Sequence, residues 1–508
     1  MMTSIRNLML NGLALATLCA GVFATVTHRI ELYGSSTAGL TWGACPAKYP
    51  PPLECANYTV PLDWNHPEGN ETVQLGMVRL AATAPSERIG PLFMNPGGPG
   101  RSATRMVADL TWWSHLDSRI RRRFDIINLD PRGVGLSTPL QCDAAIYNNQ
   151  AGVRFSTPEA AFDALVARNR AIGESCRAKS GRLIDFMDTV SAAKDHEAVR
   201  KAMGGEKASF FGGSYGTQLF ATYAHLSPDS VRAMALDSIL LHSQSAASNV
   251  RVDSAAFGAT LKYFFAECKS DPDCALHDED GEALFSALLD RAEKTPIPAP
   301  GCVKRYFRWW SPQCHTELSD EDILSLVHGL VAEPRKWSKL SRALAQAIRS
   351  NDATLLSKMR PLPTAPRFAG RAVLCQDWER YGSSTSAELQ ALHEVAQRAS
   401  PLTRGTSNIL SFYAGCVGWP ANTTNPPSRL EYKGQTPMLL VSARYDPLTS
   451  YEWAMGLQQE LGGDDRAVLL TRDGAGHGSY YDGGEAMRRI NAYLLDLVLP
   501  EPGTVVES

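Results

Sequence analysis

The chain has 508 residues, 44% of them hydrophobic and 20% charged, with a formal net charge of −3. That length can bury a large core in one elaborated domain or two. The near-neutral balance gives no electrostatic basis for binding nucleic acid, and the one basic triplet, Arg121-Arg122-Arg123, reads as a solvated helix end.

At the N-terminus, Arg6 precedes a largely apolar run from Leu8 to Phe23, which ends in Val22-Phe23-Ala24. This pattern predicts an export signal over 1–24, hence a secreted, extracellular protein, with an uncleaved signal anchor as the alternative. The run is short for a membrane span and is interrupted by Asn11, so no stable membrane insertion is expected. Removing Cys19 with the signal leaves ten of the 11 cysteines. Neighbour pairing in an oxidising compartment gives Cys45–Cys55, Cys142–Cys176, Cys268–Cys274, Cys302–Cys314 and Cys375–Cys416. No Cys-x-x-Cys spacing supports metal binding, and neither a metal nor a cofactor is expected. Sequons at Asn57, Asn70 and Asn422 are candidate glycan sites.

Along residues 25–244, Tyr58 to Leu62 and Val73 to Leu80 read as an antiparallel hairpin. Short apolar runs at Pro91 to Asn95, Phe124 to Asp130, Lys207 to Phe211 and Met234 to Ser238 then alternate with helical sequence. Such alternation predicts a mostly parallel sheet with helices on both faces. From 245 to 430 the rhythm gives way to helical patterns, such as Glu282 to Leu289 and Asp322 to Val327, with the Trp309-Trp310 pair among them. This stretch is expected to be a helical lid inserted above the sheet. Strand patterns return over 431–508, at Pro437 to Ser442 and Ala467 to Leu470, before a closing helix from about Gly484 to Val498.

Phe210-Phe211-Gly212-Gly213-Ser214-Tyr215-Gly216 places a serine inside Gly-x-Ser-x-Gly between a strand and a helix. A serine hydroxyl becomes a useful nucleophile when a sharp turn exposes it beside a base, and glycines relieve the crowding in such a turn. Asp446 and His477 follow in the order acid then histidine, each in a loop just past a predicted strand. Separately, Asp446 is a turn former before proline and His477 a loop histidine; together with Ser214 they read as a hydrolytic triad. Asn95-Pro96-Gly97-Gly98-Pro99-Gly100 also follows a strand, and its backbone N–H groups are candidate oxyanion donors. Gly97 or Gly98 would act together with the N–H of Tyr215.

With these stretches, Thr41 to Cys45, Val60 to Asp63, Asp130 to Ser137, Cys375-Gln376-Asp377-Trp378 and Cys416 to Trp419, the chain resembles the tripeptidyl and prolyl aminopeptidase branch of the α/β-hydrolases. The likeness runs from about residue 40 to 495 and includes a TAP-like C-terminal segment. It implies an α/β-hydrolase fold and a secreted serine exopeptidase that releases residues or short peptides from free N-termini. It also implies an acidic group near the lid for the substrate's α-ammonium; Asp377 is the candidate, with a cap or salt bridge beside Cys375 as the alternative. Arg101-Ser102-Ala103 stands where such proteins often carry Gly-Ser-Gly, which puts a cation next to the oxyanion loop. The expected substrate is a peptide or a small molecule. The competing functions are an esterase, lactone or thioester hydrolase, and a binding protein without activity, against which the intact Ser214, Asp446 and His477 speak.

Overall fold

The computed structural model describes residues 40–109, 116–148, 159–302, 314–359, 368–378 and 384–507. The export signal expected over 1–24 and the Trp309-Trp310 pair lie outside the described residues. In chain order the strands are β1 (Gly43–Ala44), β2 (Glu54–Pro61), β3 (Thr72–Leu80), β4 (Gly90–Asn95), β5 (Phe124–Leu129), β6 (Ala208–Gly213) and β7 (Val231–Asp237). A short ribbon, β8 (Ile297–Pro298) and β9 (Glu317–Leu318), precedes β10 (Met438–Tyr445), β11 (Ala467–Ala475) and β12 (Val505–Glu507).

Ten of these strands form one sheet in the order β1-β2-β3-β5-β4-β6-β7-β10-β11-β12. The first three pair antiparallel, as does β3 with β5. From β5 onward every pairing is parallel. Central strands of a parallel sheet are covered on both faces, which is why β4 and β5 are buried at every position and are mostly apolar, with Asn95, Asp125 and Asn128 as their buried polar residues. Alternation along them still sorts the faces. Phe93, Phe210, Met234 and Leu440 pack on one side with Phe220 and Leu219, while Leu92, Phe211, Ala235 and Val441 meet the closing helix through Ile490 and Leu494. Each fully buried phenylalanine in these layers contributes about 1.5–3 kcal/mol of apolar burial.

Between β7 and β10 the described residues are mainly helical, apart from the β8–β9 ribbon, and the helices divide by where their apolar residues go. Helices Ala246–Ser270, Gly281–Lys294, Asp320–Val331 and Trp337–Ser350 enclose a second core around Phe264, Phe285, Leu288, Val327 and Leu344. Helices Phe368–Asp377, Ser386–Ala399 and Asn408–Cys416 instead add Val373, Leu392, Leu410 and Tyr413 to the main core. The cysteines pair as Cys45–Cys55, Cys142–Cys176, Cys268–Cys274, Cys302–Cys314 and Cys375–Cys416. Of the sequon asparagines, Asn70 and Asn422 are exposed, whereas Asn57 is half-buried within β2. No described helix is long and apolar enough to cross a membrane.

Candidate active site

Four strand ends meet at the site. β6 delivers Ser214, which caps the helix Tyr215–Leu226 with φ 54° and ψ −126°. A left-handed φ on a residue with a side chain is strained backbone, and it survives only where the surroundings enforce it. Here the enforcement is close contact: a Cβ on Gly216 would stand 2.5 Å from the Asn95 carbonyl oxygen. The Ser214 N–H is held by the Asp237 carbonyl at the end of β7, 3.0 Å away.

The loop after β4 lies directly over this turn, and a Cβ on Gly97 would fall 2.7 Å from the Ser214 Cβ. The Gly97 N–H donates to Asn95 Oδ1 at 2.9 Å and is thereby committed within the loop. Among the described residues, the N–H groups of Gly98 and Tyr215 have no such acceptor. Of the three donors expected from the sequence, Gly98 and Tyr215 are therefore the pair available to an oxyanion. The loop is tethered from behind by buried Asp130, which accepts from Thr104 N at 3.0 Å, Thr104 Oγ1 at 2.7 Å and Leu136 N at 2.7 Å. Arg132, from the same stretch, forms a fully buried ion pair with Asp195 at 2.7 Å. The sequence Asp130 to Ser137 thus serves as scaffold for the site.

β10 and β11 deliver the acid and the histidine. Asp446 is 1% exposed and accepts from the His477 Nδ1 at 2.9 Å. It also accepts from Leu448 N at 2.9 Å, Thr449 N at 3.0 Å and Thr449 Oγ1 at 2.8 Å. Burial opposes its charge, but the His477 imidazole and these donors prevail and hold its pKa below the usual carboxylate value. For His477, burial favours the neutral ring, yet Asp446 prevails and the pKa is raised. The sequence did not flag Thr449, whose hydroxyl locks the carboxylate, or the supports of the histidine loop. Those supports are Asp237, which accepts from Ser479 N at 2.7 Å and Tyr480 N at 2.8 Å, and Ser238 Oγ, which accepts from Gly478 N at 2.8 Å. The His477 N–H itself donates to the Ala332 carbonyl at 2.9 Å. Ala332 closes the helix Asp320–Val331, which is fixed at its start by a capping box between Ser319 and Asp322.

Of the two places expected for Asp377, its surroundings are those of the structural one. It is 1% exposed and lines neither cavity beside Ser214. Its Oδ1 accepts from Thr189 N and Asn425 Nδ2, both at 2.9 Å, and its Oδ2 accepts from the Thr189 hydroxyl and from Gln218 Nε2 at 3.1 Å. Burial, with Asp188 nearby, pushes its pKa up to about 7 against those bonds. This carboxylate is saturated by the protein and has no face left for a substrate ammonium. Its role is to pin the helix Phe368–Asp377 to the start of the helix Thr189–Ala202.

Two cavities, of about 930 and 410 Å³, open at the site, and Ser214 and His477 line both. Among the described residues no group of three or more His, Cys, Asp or Glu side chains is arranged to hold a metal. A mostly parallel sheet whose strand ends present a strained serine, a carboxylate–imidazole pair and a glycine loop defines an α/β-hydrolase.

Comparison with known proteins agrees. Residues 90–289 match the alpha/beta hydrolase fold family and residues 400–506 match the TAP-like protein family. The chain has the α/β-hydrolase fold and is a serine hydrolase, and its C-terminal part is similar to the TAP-like proteins. It is 27% identical to a tripeptidyl aminopeptidase of Streptomyces coelicolor over 463 residues, 87% of this chain and 81% of that protein. It is likewise 27% identical over 485 residues to the serine protease Hip1 of Mycobacterium tuberculosis, covering 90% and 88% of the two chains. A protein named carboxylesterase B, also from Mycobacterium tuberculosis, is 29% identical over 471 residues, covering 88% and 85%.

Proposed function

We propose that the chain is an exported serine peptidase that releases residues or short peptides from N-termini through an acyl-enzyme on Ser214. The observation that carries the chemistry is the Asp446–His477 pair at 2.9 Å, on strand ends beside the strained Ser214 turn. Peptide as the substrate is supported by the TAP-like match and by relatives named as a tripeptidyl aminopeptidase and a serine protease. Five disulfides support export.

In this reading His477 Nε2 takes the Ser214 hydroxyl proton as Oγ attacks the scissile carbonyl. The negative charge that develops on the carbonyl oxygen is met by the N–H groups of Gly98 and Tyr215. His477 then gives the proton to the leaving amine, and a water activated by the same imidazole releases the acyl group. Asp446 keeps Nδ1 protonated and aims the ring, while Thr449 aims Asp446. The helices with their own core, Ala246–Ser270, Gly281–Lys294, Asp320–Val331 and Trp337–Ser350, form the lid that governs access, and the Ala332 carbonyl sets the position of the His477 loop.

A panel of fluorogenic substrates tests this: free N-terminal aminoacyl and tripeptidyl amides, their N-blocked equivalents, and short-chain esters. Cleavage of the free amides, abolished in Ser214→Ala, is the expected result. Ester turnover with no amide cleavage contradicts the peptidase reading and favours a carboxylesterase.

A further inference from the structure

The smaller cavity is lined, among the described residues, by two arginines. We propose, building on the serine hydrolase reading of Ser214, that this cavity is an acyl pocket in which Arg371 binds a carboxylate of the substrate. The cavity, of about 410 Å³, is lined by Ser214 and His477 and by both available oxyanion donors, Gly98 and Tyr215. A carbonyl oxygen directed at those two N–H groups places the acyl chain on the same carbon in this space. Trp378 and Phe412 supply apolar wall.

The charged side chains lining this cavity, among the described residues, are Arg101 and Arg371, with no carboxylate beside them. Arg371 stands on the helix Phe368–Asp377 and is only partly exposed. Its hydrogen bond is a long one, from a terminal NH to Asn169 Oδ1 at 3.3 Å, and its guanidinium lies 5.2 Å from the centre of the Tyr147 ring. Both partners are neutral. The one acid on its own helix, Asp377, is turned the other way and saturated by Thr189, Asn425 and Gln218.

The guanidinium lies beside Gly415 of the helix Asn408–Cys416, where an ideal Cβ would stand 3.6 Å from Nε and 3.7 Å from Cζ, at van der Waals contact. Burial, with the Arg168 cation nearby, lowers the Arg371 pKa, the mark of a cation short of solvent and, among the described residues, without an anion to offset that cost. A planar fork of N–H donors held in a cavity beside a nucleophile matches a carboxylate in shape and charge. Arg101, at the junction of the two cavities, adds a second positive charge on the approach.

The carboxylate has two sources, an acidic residue of a peptide or the free end of a dicarboxylic monoester, and two substrate series separate them. One compares the p-nitrophenyl monoester of glutaric acid with p-nitrophenyl valerate; the other compares glutamyl with glutaminyl arylamides. The expected kcat/KM ratio is roughly 10- to 100-fold in favour of the acid, the range for one charge-assisted contact. Preference in both series assigns the pocket to acidic peptide residues, and preference in the esters alone assigns it to dicarboxylates. Arg371→Met should collapse the ratio towards one, and Arg371→Lys should retain part of it. Because each ratio is internal to one preparation, loss of folded enzyme does not mimic the effect. A ratio of one or less in the unaltered enzyme in both series, or an unchanged ratio in Arg371→Met, overturns the inference. Failure of the peptidase reading shows separately, as ester turnover without arylamide cleavage.

Discussion

Asp446 and Asp377 make an instructive pair. Both are 1% exposed and both accept several hydrogen bonds, yet one has a lowered pKa and the other is pushed up to about 7. The difference lies in the neighbouring charge. Asp446 faces the imidazole of His477, whereas Asp377 has neutral donors and the like charge of Asp188. Burial and donor count alone do not make a carboxylate functional. A titrating partner that faces the reacting cavity does.

Replacing the two acids should separate them sharply. Asp446→Asn is expected to lower kcat by about 10³- to 10⁴-fold, because the ring loses the anion that fixes its tautomer. The KM should change little, and steady-state kinetics on an amide substrate reads both. Asp377→Asn should leave kcat within a few-fold and instead cost about 1–3 kcal/mol of stability, since an amide mismatches donors that all point at the carboxylate. Free and blocked N-termini should be discriminated equally well by this variant and the parent, because Asp377 does not reach substrate. A selective loss of free N-terminal substrates would restore the ammonium-binding role to Asp377.

The disulfide beside Asp377 offers a change of intermediate size. Cys375 and Cys416 join the helices Phe368–Asp377 and Asn408–Cys416 across a separation of 41 residues. Replacing both by alanine should cost about 2–4 kcal/mol, visible as a lower Tm, and should raise KM more than it lowers kcat because both helices line the smaller cavity.

The smallest effects concern pH. The raised pKa of His477 means that the imidazole loses its proton, and becomes a base, only above the ordinary histidine value of about 6.5. kcat/KM should therefore rise with pH through a limb above that value, and Asp446→Asn should shift the limb of its residual activity downward. For Asp377 the linkage has the opposite consequence to that of a salt-bridged acid. Its folded pKa, about 7, lies above the unfolded carboxylate value, so the folded chain holds the proton more tightly. The associated stability is fully present below about pH 4 and is lost as pH rises through about 7. The Tm advantage of the parent over Asp377→Asn should accordingly be larger at pH 5 than at pH 8.

How much of this was legible in the sequence follows from how local each feature is. The Ser214 turn, the Asp446 and His477 loops and the hairpin at β2 and β3 are set by contiguous residues, and their order along the chain implies a shared sheet edge. The choice between the two readings of Asp377 was not legible because its partners Thr189, Gln218 and Asn425 lie far away in sequence and meet it only through tertiary packing. Choosing between Gly97 and Gly98 depends on the Asn95 side chain, which takes one of the two N–H groups. The division of the insertion into a self-contained core and a part fused to the main core was invisible, since both halves carry the same helical periodicity. Arg371 shows the same limit. Nothing near it in the chain marks it as a cation without an anion, whereas Arg101 stood out by its departure from a known pattern.

The most direct measurement is the site of covalent capture. The intact protein, treated with a fluorophosphonate and mapped by peptide mass spectrometry, should carry a single adduct on Ser214, formed more slowly in Asp446→Asn and at the parent rate in Asp377→Asn. An adduct on another residue, or undiminished labelling of Ser214→Ala, would contradict the account.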